Sequence, residues 1–138
     1  MLSSRVKYAI HALLYIHEQK AHTPLSAKKI ADAKKIPFKF LESILQELKQ
    51  AAIIKSQRGP SGGYGFLKSP DDVTIAAIMR IIDGPIALTS CTSENFYDTC
   101  DECMSEHECE IKTVFRDLRK EMLPVLNRSI SELSKLSK

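Results

Sequence analysis

No apolar run in this chain approaches the roughly 20 residues that a membrane helix requires. The strongest apolar stretch, Tyr8 to Ile16, is interrupted by His11 and is not followed by a small-residue cleavage site. It reads as a helix of the mature protein, so the expected location is cytoplasmic, with no membrane partner. Internal repeats and low-complexity tracts are also missing, which excludes solenoids and linker-like chains. No Ser/His/Asp set, phosphate loop or catalytic carboxylate pair stands out, so an enzyme is not expected. Cysteine is absent from the first 90 residues, and all four cysteines fall between Cys91 and Cys109. In a reducing cytoplasm that clustering asks for a metal or redox explanation rather than a disulfide framework.

What is present is an ordinary globular composition. Apolar residues make up 43% of the 138 and charged residues 27%, which excludes disorder as the main reading. A chain of 15.5 kDa is one domain, or one domain with an appendage, and buries a core without help from disulfides. The net charge of +3 hides a division: residues 1–70 carry 12 Lys/Arg against 4 Asp/Glu, whereas residues 71–138 carry 8 against 13. A basic half joined to an acidic half points to a polyanion-binding module with something different attached. Nucleic acid rewards Lys and Arg through its phosphates whatever its sequence.

Residues 4–19 place Val6, Ile10, Leu13, Leu14 and His17 at helical spacing, which predicts an amphipathic helix broken at His22-Thr23-Pro24. Ser26 is a cap for a short second helix with Ala27, Ile30 and Ala31 inward. Pro37 suits the first position of a third helix, whose buried stripe is Leu41, Ile44, Leu45, Leu48 and Ala52. Its opposite face shows Lys39, Glu42, Ser43, Gln46 and Gln50. Residues 53–57 and 64–67 read as strands of a hairpin around Arg58-Gly59-Pro60-Ser61-Gly62-Gly63. Ile75, Ile78, Met79 and Ile82 mark a fourth helix, stopped by Gly84-Pro85. Residues 88–110 lack periodicity and form a loop too long to be idle. Ile111, Val114, Phe115, Leu118, Met122 and Leu126 then define a long helix that Pro124 kinks or ends. Ser129 and Glu132 fit a capping box for a last short helix.

The order helix, helix, helix, hairpin is that of a winged helix-turn-helix. The fold class expected is mainly α with a small β-hairpin. Four segments follow: a DNA-binding domain over 1–70, a connecting helix over 71–87, a cysteine-rich cofactor loop over 88–110, and a dimerisation helix with a short helix over 111–138. On the third helix Lys39 can reach guanine or a phosphate, Glu42 can accept from a cytosine amino group, and Ser43 and Gln46 can bond several bases. Arg58 on the wing suits a narrow minor groove, beside Ser61 and beside Gly62 and Gly63, which let backbone approach a phosphate closely. A solvated helix face is the plain alternative for Lys39, Glu42, Ser43 and Gln46. A hairpin turn alone needs fewer glycines than this wing holds.

Leu41-Glu42, Leu45, Leu48, Ile53-Ile54 and above all Arg58-Gly59-Pro60-Ser61-Gly62-Gly63-Tyr64 resemble the signature of the Rrf-two class of bacterial winged-helix regulators. The resemblance runs on through Val73-Thr74-Ile75, Ile82-Asp83-Gly84 and Phe115-Arg116-Asp117-Leu118. It implies a homodimeric transcription factor, in all expectation a repressor, with the long last helix as the dimer interface. Glu42 and its neighbours would then read the major groove and Arg58 the minor groove of double-stranded DNA. A dimer implies a pseudo-palindromic operator with half-sites about one or two helical turns apart.

The cysteine spacing is C-x8-C-x2-C-x5-C, over Cys91, Cys100, Cys103 and Cys109. Thiolates are soft ligands that select zinc, copper(I) or iron–sulfur clusters. The family resemblance implies an iron–sulfur cluster, two-iron or four-iron, held by Cys91, Cys103 and Cys109. Cys100 is extra to that pattern and is a fourth ligand on offer; His107 and His11 are others, and Lys112 occupies the place where some relatives carry a histidine. Zinc uses the same ligands, although C-x8-C lacks the usual paired knuckle. A thiol switch at Cys100-Asp101-Glu102-Cys103 would work in acidic surroundings that make a poor nucleophile. Between Cys91 and Glu110 stand seven acids and no Lys or Arg. Such charge lowers a cluster's potential and favours a bare cation. The function expected is a sensor of redox state, nitric oxide or iron through that loop. The alternative is a metal-free or zinc-containing regulator that answers to thiol oxidation or a partner protein.

Overall fold

The computed structural model describes residues 2–20, 23–105 and 107–136. His22 of the expected helix break and Glu106 of the acidic run lie outside them. The chain forms α1 (Ser4–Glu18), α2 (Ala27–Lys34), α3 (Phe38–Gln50), β1 (Ile54–Gln57), β2 (Gly63–Phe66), α4 (Ile75–Ile82), a 3-10 turn (Ser90–Thr92), α5 (Glu110–Leu126) and α6 (Ile130–Leu136). The architecture is mainly α with one antiparallel hairpin, in which Ile54 faces Phe66 and Gln57 faces Gly63.

Side-chain caps set most of the helix starts. Ser3 accepts from the Val6 amide, Ser26 from Lys29 and Thr74 from Ala77, each satisfying a first-turn donor that has no partner within the helix. At α6 the reciprocal box is complete: the Ser129 amide donates to Glu132 at 2.7 Å, and the Glu132 amide donates to Ser129 Oγ at 3.2 Å. Pro37 is the cap of α3 rather than its first helical residue, one position off the expectation.

The core is shared by α1, α2, α3, the start of β1, α4, Val73 and Ile130. Three expectations shift here. The buried face of α1 is Val6, Ala9, Ala12, Leu13 and Ile16, while Ile10 and Leu14 are only partly covered. Small residues let the neighbouring helices approach closely, and Ala9 and Ala12 are wholly buried. Ala52 is exposed and outside α3, because the helix ends at Gln50 and Ala52 takes a left-handed φ of 59°. There the Ile53 amide donates to the Leu48 carbonyl and closes the helix end. Finally, α5 runs two residues past Pro124 before it stops. Pro124 lies on the exposed side near the last turn, where losing one backbone donor disturbs little.

The last helix returns to the first. The Ile130 amide donates to Val73 and the Ile75 amide donates to Arg128, so α6 packs on α1 and α4 emerges beside it. In contrast, α5 packs on the 3-10 turn and on α4, and leaves Ile111, Val114, Leu118 and Val125 between 42% and 62% exposed.

Candidate functional site

The inner stripe of α3 (Leu41, Ile44, Leu45, Leu48) is fully buried. Lys39, Glu42, Ser43, Gln46 and Gln50 are thereby held outward on one exposed face. Ser43 is engaged from the side. Arg5 of α1 donates to Ser43 Oγ at 3.2 Å and pairs with Glu47 one turn further along α3. The N-terminus of α1 thus braces the edge of the α3 face, a link between residues far apart in the chain that nothing local in the sequence marks.

Arg58 and Ser61 are exposed at the tip of the hairpin. Gly62 and Gly63 have reasons within the fold itself. A Cβ on Gly62 would stand 2.2 Å from the Gln57 carbonyl oxygen, and one on Gly63 would stand 2.4 Å from the Leu25 carbonyl. The second contact exists because β2 pairs with Leu25, just before the α2 cap: the Leu25 amide donates to Tyr64 at 3.0 Å and the Tyr64 amide donates back at 2.7 Å. Any side chain at Gly63 would push the wing off the helix-turn-helix.

All four cysteines are half-buried and line one cavity of about 470 Å³ with Thr89, Glu102, Glu108 and Lys112. Cys91 lies in the 3-10 turn, 3.4 Å from Thr89 Oγ1. Cys109 caps α5, its sulfur accepting from the Lys112 amide at 3.4 Å. Cys100 and Cys103 close a turn through the Cys103 amide and the Cys100 carbonyl, 3.0 Å apart. The Cys100 thiol donates to Glu102 at 3.6 Å. His11 and His107 are exposed and do not line this cavity. Donor type and enclosure fit a soft-metal centre. Yet among the described residues no three His, Cys, Asp or Glu side chains stand together closely enough to hold a metal ion.

One structural tie near the cysteine loop was not legible in the sequence. Arg119, inside α5, is 6% exposed. Its Nε donates to the Ile86 carbonyl at 2.9 Å, and its guanidinium pairs with Glu94 at 2.9 Å. The Arg119 hydrogen bond, and then its charge, hold the Glu94 carboxyl below the usual carboxylate range. Arg119 therefore ties the segment leaving α4, and the chain just past Cys91, to the long helix. A charged residue in a charged helix gives no local sign of such a role, because its carbonyl partner lies 33 residues away.

A helix-turn-helix whose second helix bears an exposed polar face, with a wing pinned beside it, defines a winged-helix DNA-binding protein. The Rrf2 (Rrf-two) family model, described as iron-dependent transcriptional regulator, matches residues 2–135, and the chain belongs to that family. It is 42% identical over 121 residues to an rrf2-like HTH-type transcriptional regulator of Rhodobacter capsulatus, covering 86% of this chain and 81% of that one. It is 28% identical to the HTH-type transcriptional regulator IscR of Vibrio atlanticus, over 97% of this chain and 75% of the relative. In fold it matches CymR, the global cysteine regulator of B. subtilis, with a TM-score of 0.81 and 22% identity over 100% of this chain and 98% of that one. The IscR of T. potens matches with a TM-score of 0.76 and 22% identity over 100% and 88%. The chain is thus a transcriptional regulator of the Rrf2 family, and its relatives and fold are those of DNA-binding regulators rather than enzymes. Among the described residues no helix is long and apolar enough to cross a membrane.

Proposed function

We propose that this chain is a cytoplasmic, homodimeric repressor whose hold on a pseudo-palindromic operator depends on an iron–sulfur centre in the cysteine loop. The observation that carries the reading is the placement of four half-buried thiols around one cavity at the start of α5, in a family described as iron-dependent. Cys91, Cys103 and Cys109 would hold the centre, with Cys100 as the fourth ligand. When bound, it supplies a charge and oxidation state that change with redox, nitric oxide or iron supply.

The chain's own residues do the rest. Lys39, Glu42, Ser43 and Gln46 face the major groove from α3, and Glu42 discriminates by accepting from cytosine and repelling phosphate. Arg58 enters the minor groove from the wing, with Ser61 and the backbone at Gly62 and Gly63 against the phosphates. The exposed apolar stripe of α5 pairs with its copy, which removes Ile111, Val114 and Leu118 from water. Cys109 is the first contact of α5, and Arg119 grips the segment leading from α4. Order in the cysteine loop is therefore felt where α4 joins α5 and where the dimer forms. This divides the chain into reader (1–70), connector (71–87), sensing loop (88–110) and dimer arm (111–138), with α6 of the last segment docked on the reader.

The test is a spectrum from about 300 to 700 nm of protein purified without oxygen, with iron, sulfide and zinc assayed on the same sample; thiolate-ligated iron absorbs there and zinc does not. Brown protein with iron and sulfide in near-equal amounts is the expected result. Colourless protein with about one zinc per chain would make the loop a structural site. Colourless, metal-free protein that resists reconstitution would leave thiol chemistry or a partner protein as the signal. Arg58→Ala is expected to weaken operator binding at physiological salt, and Glu42→Ala to relax base preference more than affinity.

A further inference from the structure

The first turn of α3 carries two half-exposed aromatics that the polar reading face does not use. Phe38 is 46% exposed and Phe40 53%, on either side of Lys39. Single exposed apolar residues are common on protein surfaces. Phe38 borders the proposed base readers in the basic half of the chain, whereas Phe40 is offset from it by about 200° around the helix. Resting on the DNA-binding reading above, we propose that Phe38 reads a thymine 5-methyl group in the major groove and is a specificity-determining residue of this regulator.

Three observations carry the choice. Phe38 is the first residue of α3, and the N-terminal residues of a recognition helix are those that reach base edges. Glu42 follows one turn later on the same face, exposed, so Phe38 and Glu42 address neighbouring base pairs. Phe40 sits instead on the stripe of Ser43 and Glu47, which Arg5 already braces from the side. The charge of residues 1–70, 12 Lys/Arg against 4 Asp/Glu, favours a polyanion as the occupant of this face. The apolar group that duplex DNA offers in the major groove is the thymine methyl. Leaving water on contact, the ring and the methyl together favour thymine over uracil, which keeps the same pairing and hydrogen-bonding edge.

The test uses the full chain and a duplex that the wild-type protein selects from a random library. Each thymine of one half-site is replaced in turn by uracil, and affinity is measured at fixed salt for wild type, Phe38→Ala, Phe38→Leu and Phe40→Ala. One uracil is expected to weaken wild-type binding by about three- to tenfold, the scale of one lost apolar contact. Phe38→Ala is expected to bind the thymine duplex as weakly as wild type binds the uracil one, with no further loss on substitution. Phe38→Leu, which keeps an apolar tip, and Phe40→Ala should both retain the uracil penalty. A full uracil penalty in Phe38→Ala, no penalty at any thymine in wild type, or its loss in Phe40→Ala would each overturn the assignment. Failure of the wild-type protein to select any sequence would overturn the DNA-binding reading itself, a separate result.

Discussion

The winged-helix unit and the cysteine arm satisfy their side chains in different ways. In the first, apolar residues of α1 to α4 and α6 are buried within the chain and the wing is bonded to Leu25. In the second, thiols line a cavity, α5 keeps four large apolar residues exposed, and a buried arginine ties α5 to the segment after α4. The unit that meets DNA is complete in one chain. The cysteine arm instead keeps the apolar stripe of α5 open to solvent, where the proposed metal centre and second copy would act. Rigidity belongs where bases are read; a switch belongs where contacts wait for a partner.

That contrast can be broken in graded steps. Leu41→Ala, in the fully buried stripe of α3, is expected to cost about 2–5 kcal/mol and to lower Tm by the largest margin of any variant here. Thermal unfolding followed by circular dichroism checks it, and a loss under about 1 kcal/mol would mean that the core is not close-packed. Arg119→Ala leaves the buried Ile86 carbonyl without its donor and should cost about 1–3 kcal/mol. Its signature is local: amide exchange should rise over residues 86–94 and stay unchanged in α2 and α3. Ser129→Ala removes half of the capping box and should cost about 1 kcal/mol, loosening α6 from α1 without touching the cysteine cavity.

The smallest effect is at Glu94. The Glu94 side chain is 71% exposed, so Glu94→Gln is expected to leave global stability at neutral pH unchanged. The pH dependence has a definite sign. A carboxyl held low by Arg119 contributes above the ordinary carboxylate range and stops contributing as pH falls through its lowered value. Amide protection around residue 94 should therefore fall at acid pH in the wild type, and Glu94→Gln should show the reduced protection at every pH.

Local signals made much of this fold legible. Caps at Ser26 and Ser129, the stop at Gly84, and the period of Leu41, Ile44, Leu45 and Leu48 each depend on residues within one or two turns of one another. What escaped depends on distant partners or on small side chains. Ala9 and Ala12 carry the buried face of α1 only because neighbouring helices come close, which no single-helix pattern reveals. Gly63 reads as a loop glycine until β2 is seen pressed against Leu25. Arg5 and Arg119 look like solvated charges until their partners on α3, at Ile86 and at Glu94 are in place. The clustering of four cysteines was legible from spacing alone, whereas their shared cavity needed the loop to fold back onto α5.

The proposed coupling runs from the state of the cysteine loop to the affinity of the reading unit for DNA. The direct test compares one preparation, purified without oxygen, before and after its metal is stripped with a chelator. Affinity for the selected duplex is read by fluorescence anisotropy at a single salt concentration, because phosphate contacts make any comparison across salts meaningless. The two forms are expected to differ by about 5- to 150-fold, the usual range of allosteric coupling. Equal affinity in both forms, with metal demonstrably bound in one and absent from the other, would contradict it.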